Sequence, residues 1–206
     1  MSHFFTPAKP GFQPKRTFRF VVDFGNFQND TTYMVSKCAK PSFELSAATE
    51  HRVLNHTFKF PGIVKWADID MTLIDAIDPN VGSKFYNALK NMGYVNPDSL
   101  DNLHSGITKV SAQASLGTIR IIQLDAGNVT VSGNTDINAP ENAVPSGARQ
   151  YEEWILKNAY LKSVKWGNLD YSTEDIVTVE VGIVYDYAVY VDYGTAGTAY
   201  QIAAGS

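Results

Sequence analysis

The chain has 206 residues, 44% of them apolar, 12% aromatic and only 18% charged. That length suits one β-rich domain, and a charge fraction below the usual quarter leaves a surface suited to burial against partners. A net charge of −4 argues against an electrostatic grip on nucleic acid, and a single cysteine, Cys38, excludes an intramolecular disulfide and a cysteine-built metal site.

Residues 1–16 carry Pro7, Pro10, Pro14 and Gly11. Prolines at that density continue neither a helix nor a central strand, so the segment is predicted to be an extended arm. Its aromatics Phe4, Phe5 and Phe12 have no partner within the arm; they either fold back on the core or make inter-subunit contacts on a neighbour. No charged start followed by an apolar run marks a signal peptide, and no stretch approaches the roughly 20 apolar residues that span a bilayer.

A single β-rich domain is predicted over 17–193. Its first strand, Thr17–Phe24, sets Phe18, Phe20, Val22 and Phe24 against Arg19, Val21 and Asp23, a period of two with one buried face. The turn signal GNFQND makes Tyr33–Ala39 the return strand of a hairpin. Cys38 alternates with apolar neighbours and reads as a small buried hydrophobe. Phe43–Ala47 and His51–Phe60 form a second pair, closed at Pro61-Gly62. The next strand sends Asp68, Asp70 and Thr72 one way and Ile69, Met71 and Leu73 the other.

Helical spacing predicts one flanking helix at about 79–93, capped by Asp78 with Pro79 at its first position. Phe85, Leu89 and Met92 share a face, and Gly93 ends the helix. Residues 94–115 are a polar excursion with room for a short helix. Gly117–Asp125 is a strand, and the Asn-, Gly-, Pro- and Ser-rich segment at about 126–150 is an exposed polar loop.

The last third reads as a long β-hairpin. Glu153–Trp166 and Ile176–Asp192 are joined by GNLDYSTED. Val177, Val179, Val181, Ile183, Tyr185 and Tyr187 form an apolar face opposite Thr178, Glu180, Gly182 and Asp186. A strand of about 17 residues, against the usual five or six, is expected to continue into a sheet shared with a neighbour. Residues 194–206 form a tail of small residues.

Catalytic chemistry has no foothold. His3, His51, His56 and His104 are scattered, and no nucleophile elbow or phosphate-cradling glycine motif is present. Asp68 and Asp70 merely share a strand face, with no His, Lys or Tyr placed by the sequence to tune a proton. The oxygen-rich stretches 136–142 and 170–175 lack fixed calcium-ligand spacing and read as turns. No enzyme activity, cofactor or metal is expected. A monomeric β-sandwich binding ligands through 94–115 or 126–150 is the competing non-catalytic reading.

Three stretches taken in order, FRFVVDFGNF…YMVSKCAKPSFE, HRVLNHTFKFPGIVKWADIDMTLID and LKNAYLKSVKWGNLDYSTEDIVTVEVGIVYDYAVY, resemble the tail tube proteins of contractile-tailed bacteriophages. They are more distantly similar to the inner tubes of phage-derived injection machines. The resemblance implies a mainly β subunit of two packed antiparallel sheets with one flanking α-helix. Six subunits would close a ring whose sheets join into a large β-barrel, and stacked rings would form a channel. It implies a virion tail assembled in the host cytoplasm. The implied partners are further copies, tail sheath, tape-measure, baseplate tube-initiating and tail-terminator proteins, with DNA passing only transiently. A tube delivering proteins in an injection or secretion system is the alternative.

From the residues alone, the polar strand faces meet solvent. The resemblance moves them to the lumen, making Asp68, Asp70, Thr72, Thr178, Glu180 and Asp186 its lining. A wall of carboxylates there would keep phosphates from sticking.

Overall fold

Two antiparallel sheets face each other across one apolar core in the computed structural model, which describes residues 15–27, 34–47, 49–98, 106–124, 149–172, 174–193 and 198–199. The predicted aromatics Phe4, Phe5 and Phe12, the 126–150 segment up to residue 148 and most of the tail lie outside the described residues.

The first sheet runs β1 (Phe20–Phe24), β8 (Ile119–Leu124), β9 (Arg149–Lys157), β12 (Tyr187–Asp192), with β13 (Thr198–Ala199) also on β9. The second runs β10 (Tyr160–Lys165), β11 (Thr178–Val184), β7 (Ile69–Ile74), β2 (Val35–Cys38). Period-two alternation builds both inner faces. Val22, Phe24, Ile119, Ile121 and Leu156 come from the first sheet, and Ile69, Met71, Leu73, Val179, Val181 and Ile183 from the second. Each is buried, a gain of roughly 1.5–3 kcal/mol per large apolar side chain.

Two helices close the open flank, the one predicted at about 79–93 and a short one that takes up the end of the 94–115 excursion. In α1 (Val81–Asn91) the cap is Asn80, which accepts the Ser83 N–H at 2.6 Å, not Asp78 two residues earlier. Gly93 adopts φ 105°, the left-handed geometry expected of a residue just past a helix end. Phe85 drives the helix into the core, its ring meeting Phe24 at 6.0 Å and Phe27 at 5.1 Å edge-on. The second helix, α2 (Lys109–Leu116), starts on a Thr108–Ser111 capping box. Ser111 also donates to the Met92 carbonyl at 2.6 Å, tying the two helices together.

Several strand partners differ from expectation. Phe18 is 71% exposed, and β1 begins at Phe20. β2 does not return along β1: it pairs with β7 in the other sheet, while β1 pairs with β8. The expected pair closed at Pro61-Gly62 is instead a ribbon, β3 (Phe43–Leu45) on β6 (Val64–Trp66) and β4 (Thr49–Val53) on β5 (His56–Phe60). Its turn is at Leu54-Asn55, where Leu54 takes φ 53°.

The over-long last strand is also divided. It breaks at Tyr185-Asp186 into β11 and β12, one in each sheet, and its partner breaks at Asn158-Ala159 into β9 and β10. Its length therefore serves two sheets of the same subunit. Asn158 makes the bend possible by adopting φ 58°, a conformation asparagine tolerates better than branched residues.

Candidate assembly surfaces

The outer face of the second sheet gathers most of the residues singled out for the lumen. Register sets Glu180 beside Thr72 and Lys165, Gly182 beside Asp70 and Ser163, and Lys37 beside Thr72. Thr178, opposite Ile74, continues the same face by alternation. Gly182 has no side chain, and a shallow depression of about 260 Å³ opens over it. Asp68 stands just before β7, where Lys162 reaches it at 2.6 Å.

Asp186 belongs elsewhere. At the corner between β11 and β12 it accepts from Lys109 of α2 at 2.8 Å and from Asn158 at 2.7 Å. Both partners, Lys109 first, hold its carboxyl below the ordinary aspartate value.

The sheet face is not a wall of carboxylates. Lys165 pairs with Glu180 at 2.9 Å and Lys162 with Asp68, while Lys37 borders the depression with Asp70 and Thr72. Three lysines thus stand among the three acids Asp68, Asp70 and Glu180. Sequence alternation could place the acids, and the predicted hairpin sets β10 with its two lysines beside β11, but Lys37 comes from β2, whose neighbour only the sheet order reveals.

The ribbon spanning β3 to β6 is the surface that reading the sequence missed. Every residue of β3, β4 and β5 is exposed, so none of the described residues covers it. Register puts Phe43 beside Trp66 and Leu45 beside Val64 on one face of its base; in the outer half Phe60, Phe58 and Val53 share a face with their partners. Leu54 at the tip is 88% exposed and Ile63 is 78% exposed. A two-stranded ribbon is marginal in water by itself, and apolar faces of this extent mark interaction sites. Between its halves Ser46 Oγ accepts the Ile63 N–H at 2.8 Å, and a Cβ on Gly62 would fall 2.1 Å from that oxygen. Gly62 is therefore needed for close strand approach, not for a closing turn.

At the root of the predicted arm, Lys15 and Lys40 both pair with Glu152. Lys40 also donates to Gln123 at 2.6 Å, and Gln123 donates to the Arg16 carbonyl at 3.1 Å. Burial alone would raise the Glu152 pKa, but the two lysines outweigh it and hold the carboxyl below its ordinary value. Beneath them a cavity of about 400 Å³ is lined by Phe20, Cys38, Ile121 and Trp154. Burial pushes the Cys38 thiol up to about 12, leaving it un-ionised and a poor nucleophile near neutrality.

No protein-family model and no curated protein sequence matches the chain. Solved structures do. A chain in the six-fold symmetrised cryo-EM structure of the anti-feeding prophage baseplate superposes with a TM-score of 0.55 at 13% identity, covering 89% of this chain and 99% of its own. A chain of the extended sheath–tube complex of an extracellular contractile injection system, PVC, gives 0.55 at 15% identity, with 87% and 92% covered. A chain of the tube-terminating cap of the anti-feeding prophage gives 0.57 at 14%, with 93% and 99% covered.

This chain shares its fold with components of contractile injection systems. The match runs over nearly the whole of both partners and agrees with the tail-tube resemblance drawn from the sequence. At these identities it establishes architecture.

Proposed function

We propose that this protein is a structural, non-catalytic subunit of the inner tube of a contractile tail, assembling as stacked homohexameric rings around a channel. The observation that carries the reading is a ribbon that no described residue covers, on a subunit of this fold. Without a partner copy the described residues leave an extended apolar surface in water and a two-stranded ribbon unsupported.

Lateral closure follows from the second sheet. Its outer strands, β10 and β2, present edge backbone groups that pairing with neighbouring copies would satisfy, joining six sheets into one barrel without open edges. The face carrying Asp68, Asp70, Thr72, Thr178 and Glu180 then lines the lumen. Phe4, Phe5 and Phe12 of the arm then contact adjacent copies. In a phage tail the tube conducts DNA and encloses the tape-measure protein. It is wrapped by sheath, begun on baseplate tube-initiating proteins and ended by a terminator.

A protein-delivering tube is the second reading. The lysines among the acids of the lumen face favour it, because a charge-balanced wall repels polyanions less than a wall of carboxylates would.

Electron microscopy and light scattering of the purified protein test the proposal. Six-fold rings or tubes are the expected result. A stable monomer at high micromolar concentration, with no rings in the images, overturns it.

A further inference from the structure

The described residues leave the space between the sheets unfilled at the root of the arm. The cavity of about 400 Å³ there takes Phe20, Ile121 and Trp154 from three strands of the first sheet and Cys38 from the end of β2. Protein interiors hold few voids larger than a water molecule, and a volume of roughly 300–1,000 Å³ is that of a pocket built to take an occupant. Lys15, Lys40, Gln123 and Glu152 complete the lining. The two lysines share one carboxylate, Glu152, so the border is rich in ammonium donors suited to carbonyl oxygens.

One donor in this lining is unsatisfied. The Trp154 indole N–H is buried and meets no acceptor among the described residues, although its ring packs on Tyr190 with centroids 4.8 Å apart. A buried donor needs a partner, so a fitting occupant brings apolar bulk and an acceptor together, as an aromatic side chain on a peptide does. The chain supplies such a segment. The described residues begin at Lys15, which lines the cavity, and residues 1–14 before it carry Phe4, Phe5 and Phe12. Length decides among them. Pro7, Pro10 and Pro14 favour an extended arm, and at about 3.1 Å per residue Phe12 stands about 9 Å from Lys15, Phe4 and Phe5 about 31–34 Å. A domain of this length has a radius of gyration of about 17 Å, which sets like points on touching neighbours roughly 30–40 Å apart. Phe12 falls short of a neighbour's cavity, and the Phe4-Phe5 tip reaches it.

We propose that this cavity is the receptor for the Phe4-Phe5 tip of a neighbouring copy's arm, one ring entering between Phe20, Ile121 and Trp154 while a backbone carbonyl of the arm accepts the Trp154 indole N–H. The assignment rests on the tube reading above and names where the arm contact is made. Arm root and receptor stand at one place on the subunit, so each copy gives its arm to the next and receives one. Such a head-to-tail contact is heterologous and is satisfied at every copy once the ring closes.

The test is made on rings of the full chain. A benzophenone amino acid at position 5, in subunits mixed with isotope-labelled unsubstituted ones, is expected to join the two kinds of copy through the peptides that carry Cys38, Ile121 or Trp154. Cys38, the single cysteine, reports occupancy independently. Phe4→Ala/Phe5→Ala is expected to raise its alkylation rate in rings about tenfold as the covered thiol opens, whereas Phe12→Ala leaves the rate unchanged. Adducts confined to one copy, adducts elsewhere in the chain, or a Cys38 rate that the double variant does not move overturn the contact. Should the double variant form no rings, the adduct alone decides. Rings without the adduct leave the tube reading standing; if the unsubstituted chain forms neither rings nor tubes, both fall.

Discussion

Asn158 donates its side-chain amide to the Asp186 carboxylate across 2.7 Å, tying together the two points at which the chain crosses from one sheet to the other. The Asp186 N–H also donates to the Lys157 carbonyl at 3.1 Å, so the corner is held by backbone and side chain together. Asn158→Ala removes the amide and puts an alanine at φ 58°, and the expected loss is about 1–2 kcal/mol. Asn158→Gly relieves the backbone but not the lost bond, and it should cost less than the alanine. Urea denaturation of the two variants checks the order; an alanine variant as stable as the parent would show that the corner is set by packing alone.

Acid should loosen the root of the arm. Glu152 is held below its ordinary value of 4.5 in the folded chain by Lys15 and Lys40, against the opposing effect of burial. A carboxyl with a depressed folded value contributes stability above its unfolded value, and that contribution disappears as pH falls through the folded value. The contribution should therefore be level near neutrality and decline below about 4.5. Glu152→Gln should be less stable near neutrality and show a flatter acid limb. Thermal melts of both proteins between neutral and acid pH decide it; parallel curves would remove the pairing from the stability of the fold.

Phe85 is fully buried and meets the rings of Phe24 and Phe27, so it holds α1 against the first sheet. Phe85→Ala is expected to cost about 3–5 kcal/mol through lost burial and a residual cavity. The ribbon and the outer face of the second sheet carry none of these atoms. A variant that still folds in the cold should assemble like the parent yet melt at a much lower temperature, measured by calorimetry on matched assemblies.

Asp70→Lys with Glu180→Lys leaves Asp68 among the described residues as the only carboxylate beside five lysines on the outer face of the second sheet. The Lys165–Glu180 bridge is exposed and solvent-screened, so its loss should leave the fold intact. Tubes should assemble and retain DNA in a salt-dependent way that the parent does not, read by cosedimentation at two salt concentrations. In a structure of the assembled tube these side chains should face the channel; finding them outside or between rings removes the lumen assignment.

The sequence by itself determined the inward faces of β7 and β11. The alternation of Val179, Val181 and Ile183, and of Ile69, Met71 and Leu73, was legible because side chains in a strand must point to opposite faces, and water sorts the faces by polarity. The spacing of Phe85 and Met92 revealed a helix for the same reason, at a different period. Periodicity says nothing of which strand lies alongside. Only the tertiary structure decided that β2 pairs with β7, that Lys37 therefore stands among the acids, and that Asp186 leaves their face for the corner with Asn158 and Lys109. The ribbon shows the same limit: its alternation looks like that of a core strand, and the difference is that no second layer of the described residues lies against it. Burial depends on what the rest of the chain brings into contact, a long-range property that a local pattern of apolar and polar residues does not encode.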